Sequence, residues 1–329
     1  MAREPEIRAT GALPAEPPAG SPFRLPFGAT PEQMEARQEK AAERSEELVS
    51  EAEKLSADTV RKALDALRDF RDAIRPALMA ESEYSVAYQL ALRRKVEAEI
   101  TRLEAELQAL LAGDAKAAYA LGQESGKALP LALDVATEDQ IAQIVGVEAE
   151  KVLLAAQQSA DLIALSRGGL TAEIQKAIDR QLWLAANGAQ GLYDARKAIE
   201  EILGPDGVAA TRTEAIVRTE TMRVMSEAEA ATTARIKAAG LPVRRVWRHS
   251  GNTWDPRTGH VEADGQEEDD EGYFHVAADA GGSRELLRYP RDPAASARNS
   301  IQCGCYVENQ VDLDRLFDDL PRPGGEVRP

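Results

Sequence analysis

The chain has 329 residues, a formal net charge of −16 and 5% aromatic residues. This acidity argues against a general nucleic-acid-binding protein, because neutralising phosphates requires a basic surface. The sequence has no run of about 18 or more uncharged apolar residues, so we expect no membrane span. Two cysteines do not make a disulfide framework, and alanine, leucine, glutamate and arginine are abundant. We therefore expect a helix-rich protein of a reducing cytosol.

The N-terminal segment, residues 1–30, is rich in proline and carries few large apolar side chains. Because proline removes backbone donors and cannot continue a helix, this segment is predicted to be a flexible arm. An alternative is that the arm orders on a partner through Phe23, Leu25 and Phe27.

Residues 31–112 carry apolar side chains at steps of three and four, which predicts amphipathic helices. The stripe is interrupted around Pro76, and from Val96 to Leu110 it has the spacing of a coiled-coil seam. We expect two antiparallel helices that pair as an arm, with a helix of another chain as the alternative partner. The stripe consists of Val60, Ala63, Leu67, Phe70 and Ile74, then Leu92, Val96, Ile100, Leu103, Leu107 and Leu110.

Residues 113–205 are predicted to form a helical domain without a catalytic signature. Thr137 and Gln140 have the spacing of a capping box, and Gly146 is expected to end the short helix that follows them. Further helices are predicted over 148–166, from a cap at Thr171 to Asn187, and over 191–203.

A long helix is predicted over residues 211–242. Thr211 and Glu214 have capping-box spacing, and a glycine and a proline follow at the far end. Its charged residues, Arg218 and Arg223 among them, are expected on a solvated face. The helix contains the motif RTET, which is Arg218, Thr219, Glu220 and Thr221.

Beyond this helix the apolar period changes to two, which predicts short strands over 243–248, 285–290 and 301–307. In the last of these, Cys303 and Cys305 are two positions apart, so both sulfurs should face the same side of a strand. The predicted fold is mainly α, with a helical N-terminal two thirds followed by a small α+β domain over 206–310. An acidic flexible tail is expected over 311–329.

The two cysteines admit three interpretations. A disulfide between them is disfavoured, because so tight a ring conflicts with the torsion that the sulfur–sulfur bond prefers. They can be small buried apolar groups beside a hydrogen-bonded histidine, metal ligands or reactive thiols. The histidines of the chain all lie in the same C-terminal region; they are His249, His260 and His275.

This clustering suggests a zinc site built from His260, Cys303 and Cys305. A fourth ligand would come from Asp255, His275 or water, because structural zinc prefers four ligands in a tetrahedron. The spacing of the two cysteines is not a standard zinc signature, so buried thiols beside a histidine stay open as the alternative.

Several short motifs follow one another between residues 205 and 308. After RTET come a tryptophan in a strand, DPRTGH, DGQ, an aromatic residue, YPRDP and Asn-x-Ile-x-Cys-x-Cys. This order resembles the phage Mu F-like head morphogenesis family of minor capsid proteins. The matching residues are Arg218, Thr219, Glu220, Trp247, Asp255, Arg257, Thr258, His260, Asp264, Gly265, Gln266, Phe274, Tyr289, Pro290, Asp292, Pro293, Asn299, Ile301, Cys303 and Cys305.

Three positions depart from the family pattern. Gly304 lies between the cysteines where the family commonly has arginine, and Gly259 precedes His260 where proline or serine is more usual. Arg291 replaces a glycine of the YPGDP-like turn. The first of these departures weakens any expectation of a basic contact from the Cys-x-Cys segment.

The resemblance implies a non-enzymatic virion component of a tailed bacteriophage. Such a protein would be made in the host cytoplasm and incorporated in the head interior at the portal vertex, where it supports head assembly, DNA packaging or delivery. The portal protein is the expected partner, with the major capsid or scaffolding protein and packaged DNA as further partners. Alternatives are a metal-dependent nuclease or hydrolase using Asp255, His260 and Asn299 near Cys303 and Cys305, and a helical adaptor of cellular origin.

Overall fold

A computed structural model describes residues 21–80, 85–146, 168–251, 256–279 and 281–320, with a few positions between 154 and 162. The described chain is mainly helical, with a few short antiparallel strands toward its C-terminal end, and this confirms the predicted fold class. Every helix in these segments is too short or too polar to span a bilayer. The helix predicted over 148–166 lies largely outside the described residues.

The elements in chain order are α1 (Pro31–Met79), α2 (Val86–Ala132), α3 (Glu138–Val145), α4 (Leu170–Ala186), α5 (Leu192–Ile202), α6 (Val208–Ala238), β1 (Val243–Arg248), α7 (Thr258–Glu262), β2 (Phe274–Val276), β3 (Glu285–Leu287), α8 (Ala297–Ser300), β4 (Tyr306–Val311) and α9 (Leu313–Asp319).

Helices α1 and α2 pair antiparallel within the chain, as the stripe predicts. The hydroxyl of Tyr88 near the start of α2 donates to the carbonyls of Ala77 and Leu78 near the end of α1, at 2.9 Å each. Farther along the pair, Thr59 Oγ1 donates to Asp114 Oδ1 at 2.8 Å. The predicted stripe lies in the apolar cluster between the helices, with Leu110 partly buried.

The predicted limit at residue 31 coincides with the start of a helix, whereas the limit at 112/113 does not coincide with a helix end. Helix α1 begins at a capping box formed by Thr30 and Gln33, and it continues through Pro76. Helix α2 passes through Gly113, so the predicted boundary at 112/113 lies inside a helix. Packing of α2 against α6 outweighs the cost of about 1 kcal/mol that an interior glycine imposes.

Helix α3 confirms the predicted cap at its start and the predicted glycine at its end. Thr137 and Gln140 form a full capping box, and Gly146 is the C-cap with a φ of 63°. Helix α4 begins two residues earlier than a Thr171 cap would allow, because Gly169 is its N-cap and Thr171 is buried inside the helix. Helix α5 lies within the predicted range.

Helix α6 also begins earlier than predicted. Its N-cap is Gly207, and the Thr211 hydroxyl donates to the Gly207 carbonyl at 3.2 Å instead of capping the helix. Glu214 forms an ion pair with Arg218 at 2.8 Å. The capping-box spacing therefore matched residues in the interior of the helix.

The C-terminal region forms a small α+β module with two antiparallel strand pairs, β1–β4 and β2–β3. The strand predicted over 243–248 is β1, and the one over 285–290 is shortened to β3. The strand predicted over 301–307 is wrong, because β4 begins only at Tyr306. In the β1–β4 register Trp247 lies opposite Val307, and the Trp247 ring is fully buried in the core of the module.

Both ends of the described chain pack on the helices. Phe23 and Leu25 are buried in one apolar cluster with Leu316 and Leu320, whereas Phe27 is 89% exposed. The described part of the predicted flexible arm, residues 21–30, is therefore docked on its own chain. The described part of the predicted tail, 311–320, forms the end of β4 and the helix α9.

Candidate metal centre

The two cysteines lie in a tight turn between α8 and β4. Gln302 has a φ of 53°, a left-handed conformation that reverses the chain before Cys303. The Gln302 amide donates to Thr219 Oγ1 on α6 at 3.0 Å, which fixes this turn against the long helix. The sulfurs therefore converge because of a turn and not through strand alternation, and Ile301, predicted on the same face, is 44% exposed.

The Arg291 side chain hydrogen-bonds the turn at residues 301–305, which we call the sulfur turn. Its Nε donates to the carbonyl of Cys303 at 2.7 Å, and its Nη2 donates to the carbonyl of Cys305 at 3.0 Å. A third bond runs from Nη1 to Ser226 Oγ on α6 at 3.2 Å. The side chain is 1% exposed and its residue has a φ of 65°. Three hydrogen bonds from the Arg291 side chain thus connect the turn to α6.

His260 reaches the sulfurs from the short helix α7. The preceding residue, Gly259, packs so closely on the carbonyl of Ala277 that a Cβ there would clash. The Trp247 ring meets the imidazole edge-on, with ring centroids 5.8 Å apart. These contacts fix the position of α7 and hence of the imidazole.

The imidazole and the two thiols form one buried cluster. His260 Nδ1 is 3.3 Å from Cys303 Sγ and 3.4 Å from Cys305 Sγ. On the other side of the ring, Nε2 is 3.0 Å from Asn299 Oδ1. An amide oxygen accepts a hydrogen bond, so this contact keeps the proton on Nε2 and directs the Nδ1 lone pair at the sulfurs. The ring is 2% exposed and the cysteines are 4% and 1% exposed.

The electrostatics of the cluster favour a thiolate at Cys303. A hydrogen bond from the Cys305 thiol and the nearby charge of Arg291 lower the pKa of Cys303 well below its ordinary value, although burial opposes this effect. The same hydrogen bond, together with burial, raises the pKa of Cys305. Burial lowers the pKa of Arg291, and the sulfur charges oppose that effect.

The separations match what a tetrahedral zinc ion requires. Zinc–sulfur bonds of about 2.3 Å and zinc–nitrogen bonds of about 2.0–2.1 Å place the two ligand atoms about 3.6 Å apart at a tetrahedral angle. Across the described residues, His260, Cys303 and Cys305 are the group of three whose ligand atoms lie within 4.8 Å of one another. A carboxylate-free set of this kind suits zinc better than magnesium or calcium.

The two other histidines are not in this cluster. His275 is exposed, and its Nε2 is 2.8 Å from Asp269 Oδ2. His249 accepts a hydrogen bond on Nδ1 from the Gly251 amide at 3.2 Å. Asp255, the predicted carboxylate ligand, lies outside the described residues.

Most of the remaining motif residues shape the loops around the cluster. The Asp292 carboxylate accepts from the Arg288 and Ala294 amides, at 3.0 and 2.9 Å, which closes the turn that positions Arg291. The Gln266 side chain makes two hydrogen bonds with the backbone of His275. Its Oε1 accepts from the His275 amide at 2.7 Å, and its Nε2 donates to the His275 carbonyl at 3.3 Å.

Three further motif residues support the same loops. The Asp264 carboxylate accepts from the His249 amide at 2.9 Å. Gly265 has a φ of 80° and donates to the Trp247 carbonyl at 2.8 Å. Arg257 donates through Nη2 to the Ile301 carbonyl. Tyr289, Pro290 and Pro293 complete the motif, and Tyr289 is buried.

The RTET motif faces the interior, against the prediction of a solvated face. Arg218 is exposed, but Thr219, Glu220 and Thr221 are buried. Arg223 is also buried, with ion pairs to Glu220 at 2.7 Å and to Glu227 at 3.0 Å. The prediction of a solvated face was wrong because it used the charge composition alone. Helix α6 packs on the bundle formed with α1 and α2 along one side and on the sulfur turn along another.

Comparison with known proteins gives one partial similarity. A curated relative, the uncharacterized protein YqbB of Bacillus subtilis (strain 168), is 34% identical over 70 residues. The alignment spans 21% of this chain and 22% of the relative, so the chain covers about a fifth of that protein's length. No protein-family model matches the chain. No solved structure matches it significantly.

Proposed function

We propose that this chain is a minor head protein of a tailed bacteriophage that binds the portal or the capsid interior during procapsid assembly and supports DNA packaging or delivery. One observation carries the proposal. Most of the described motif residues, which are spread over about a hundred positions of sequence, lie in or contact one small module that contains His260, Cys303 and Cys305. A match by chance would have no reason to select loop residues that support a single site.

The burial of this site favours an architectural role over catalysis. The imidazole and both thiols are almost inaccessible to solvent, and a phosphodiester substrate would need direct access to them. The nuclease alternative therefore has less support. Plasmid nicking in magnesium, manganese or zinc tests it. Cleavage that is lost in His260→Ala and kept in His275→Ala would favour the enzyme over the assembly protein.

The helical bundle offers a surface for a partner between α2 and α4. A groove of about 470 Å³ there is lined by three cationic side chains, Arg93, Lys176 and Arg180, and one carboxylate, Asp179. Trp183 forms part of its wall and is 64% exposed. On a chain with a net charge of −16 such a groove fits an acidic partner segment with an apolar anchor. We assign this segment to the portal.

Co-purification with a co-expressed portal protein from the same genome tests the proposal. We expect the portal to retain the full chain, and Trp183→Ala combined with Lys176→Glu and Arg180→Glu to reduce retention about tenfold. Tyr193→Ala is the matched control, because Tyr193 is 76% exposed on α5 outside the groove. A portal that does not retain the wild-type chain contradicts the function, whereas equal retention of all variants contradicts only the groove.

A further inference from the structure

We propose that His260, Cys303 and Cys305 bind a zinc ion through Nδ1 and the two Sγ atoms, and that this ion holds the C-terminal module together. The first step is the direction of the ligand atoms. The Asn299 carbonyl oxygen holds the imidazole proton on Nε2, and the Nδ1 lone pair faces both sulfurs at 3.3 and 3.4 Å. A hydrogen-bonded outer partner of this kind is the usual support of a metal-binding histidine.

The second step is the charge that the cluster needs. Zinc binding requires the thiolate form of both cysteines, and two thiolates in a site with almost no solvent access are unfavourable without a cation. Arg291 is the nearest positive charge, but its hydrogen bonds go to two carbonyls and to Ser226 and not to a sulfur. Two thiolates and one divalent ion form a neutral set. Zinc would therefore supply the positive charge in direct contact with the sulfurs that Arg291 does not supply.

The third step is what the ion connects. His260 belongs to α7, whereas the cysteines belong to the turn before β4, about forty positions later in the chain. The strands of the module are short, with three residues in β2 and in β3. A bond between two distant loops stabilises such a module, because a small unit buries too little apolar surface to hold long loops in place. Water would take the fourth position of the zinc tetrahedron.

Metal analysis of the full-length purified chain tests the inference. We expect about one zinc ion per chain in the wild type and in the controls His249→Ala and His275→Ala. Cys303→Ser, Cys305→Ser and His260→Ala should each reduce the zinc content at least tenfold. Equal zinc content in the ligand variants and the controls would overturn the site.

A second measurement uses only the wild-type chain, so its result does not depend on whether the variants fold. Cobalt is exchanged into the wild-type chain, and its absorption spectrum reports the ligands directly. We expect a thiolate-to-cobalt charge-transfer band and the d–d bands of a tetrahedral ion. A cobalt spectrum without the thiolate band would overturn the inference even if every variant unfolds. Both measurements use this chain alone, so their outcome is independent of portal binding.

Discussion

At the scale of single residues, Asp114 joins the three long helices. Its carboxylate accepts hydrogen bonds from Thr59 on α1 and from Thr221 on α6, and the residue is 4% exposed. Burial raises the pKa of Asp114 above its ordinary value of 3.8, although both hydroxyl groups oppose this effect. The charged form is thus less stable in the folded protein than in the unfolded chain.

Replacement of Asp114 by asparagine should therefore stabilise the protein at pH 7, by about 1 kcal/mol. A raised folded-state pKa makes the wild-type free energy of unfolding decrease as the pH rises from 3.8 through that pKa. Asp114→Asn lacks this step, so its advantage should disappear as the pH falls toward 3.8. Urea denaturation of both proteins at several pH values measures the difference. An advantage that stays constant with pH would contradict the proposed cause.

The residues of the candidate site differ in how far the sequence predicts them. Cys303, Cys305 and His260 were recognisable because rare residue types with affinity for soft metals occur together in one short region. Arg291 was not recognisable, because its role depends on the carbonyl groups of a turn twelve positions away. The motif pattern suggested only a lost glycine, and no local rule links an arginine to a distant backbone turn.

At the scale of elements, the packing of α2 on α6 depends on two glycines. A Cβ at Gly122 would lie 2.8 Å from the Cβ of Ala228, and one at Gly126 would lie 2.6 Å from the Cβ of Thr232. Real Cβ atoms do not approach so closely, so the helices can reach their present separation only with glycine at these positions. The spacing of four residues places both on one face of α2.

Gly122→Ala should therefore destabilise the protein by about 1–3 kcal/mol, because the added methyl group forces the two helices apart. Gly113→Ala in the same helix is the matched control: no atom lies within 4 Å of its added Cβ. That change should stabilise the helix by about 0.5–1 kcal/mol. Thermal unfolding followed by circular dichroism measures both. Similar shifts for both variants would mean that helix propensity and not close packing controls these sites.

Elements that depend on local contacts were the most predictable. The box of Thr137 and Gln140 uses groups three residues apart, so its sequence signal is complete in itself. The continuation of α2 through Gly113, where the sequence predicts a limit at 112/113, and the start of β4 depend on packing partners far along the chain. Apolar and other residues do alternate along 301–307, but the left-handed backbone conformation of Gln302 prevents an extended strand there.

At the scale of the whole molecule, α6 belongs to both the bundle and the module. Through Thr221 it contacts Asp114 in the bundle. Through Thr219 it accepts the amide of the sulfur turn, and through Ser226 it accepts a hydrogen bond from Arg291. Because one rigid helix carries both sets of contacts, loss of packing in the bundle should also disturb the sulfur turn. The bundle and the module should therefore unfold in a single transition.

The apolar cluster that joins the two ends of the described chain allows this cooperativity to be tested. Phe23 is fully buried there beside Leu316 of α9, and the amide of Arg24 donates to the Val135 carbonyl at 2.9 Å. Phe23→Ala should lower the free energy of unfolding by about 3–5 kcal/mol, because it leaves a cavity in the cluster. Phe27→Ala removes the same side chain four residues later from an exposed position, so it should change stability by less than about 0.5 kcal/mol.

Two probes distinguish cooperative from separate unfolding of these variants. Far-ultraviolet circular dichroism follows the helices of the bundle, and near-ultraviolet circular dichroism follows the tryptophan environment, including the buried Trp247 of the module. We expect both probes to shift by the same amount in Phe23→Ala, because the cluster contains residues of the bundle, of β1 and of α9. A far-ultraviolet shift with an unchanged near-ultraviolet transition would show that the module is stable without the packed ends of the chain.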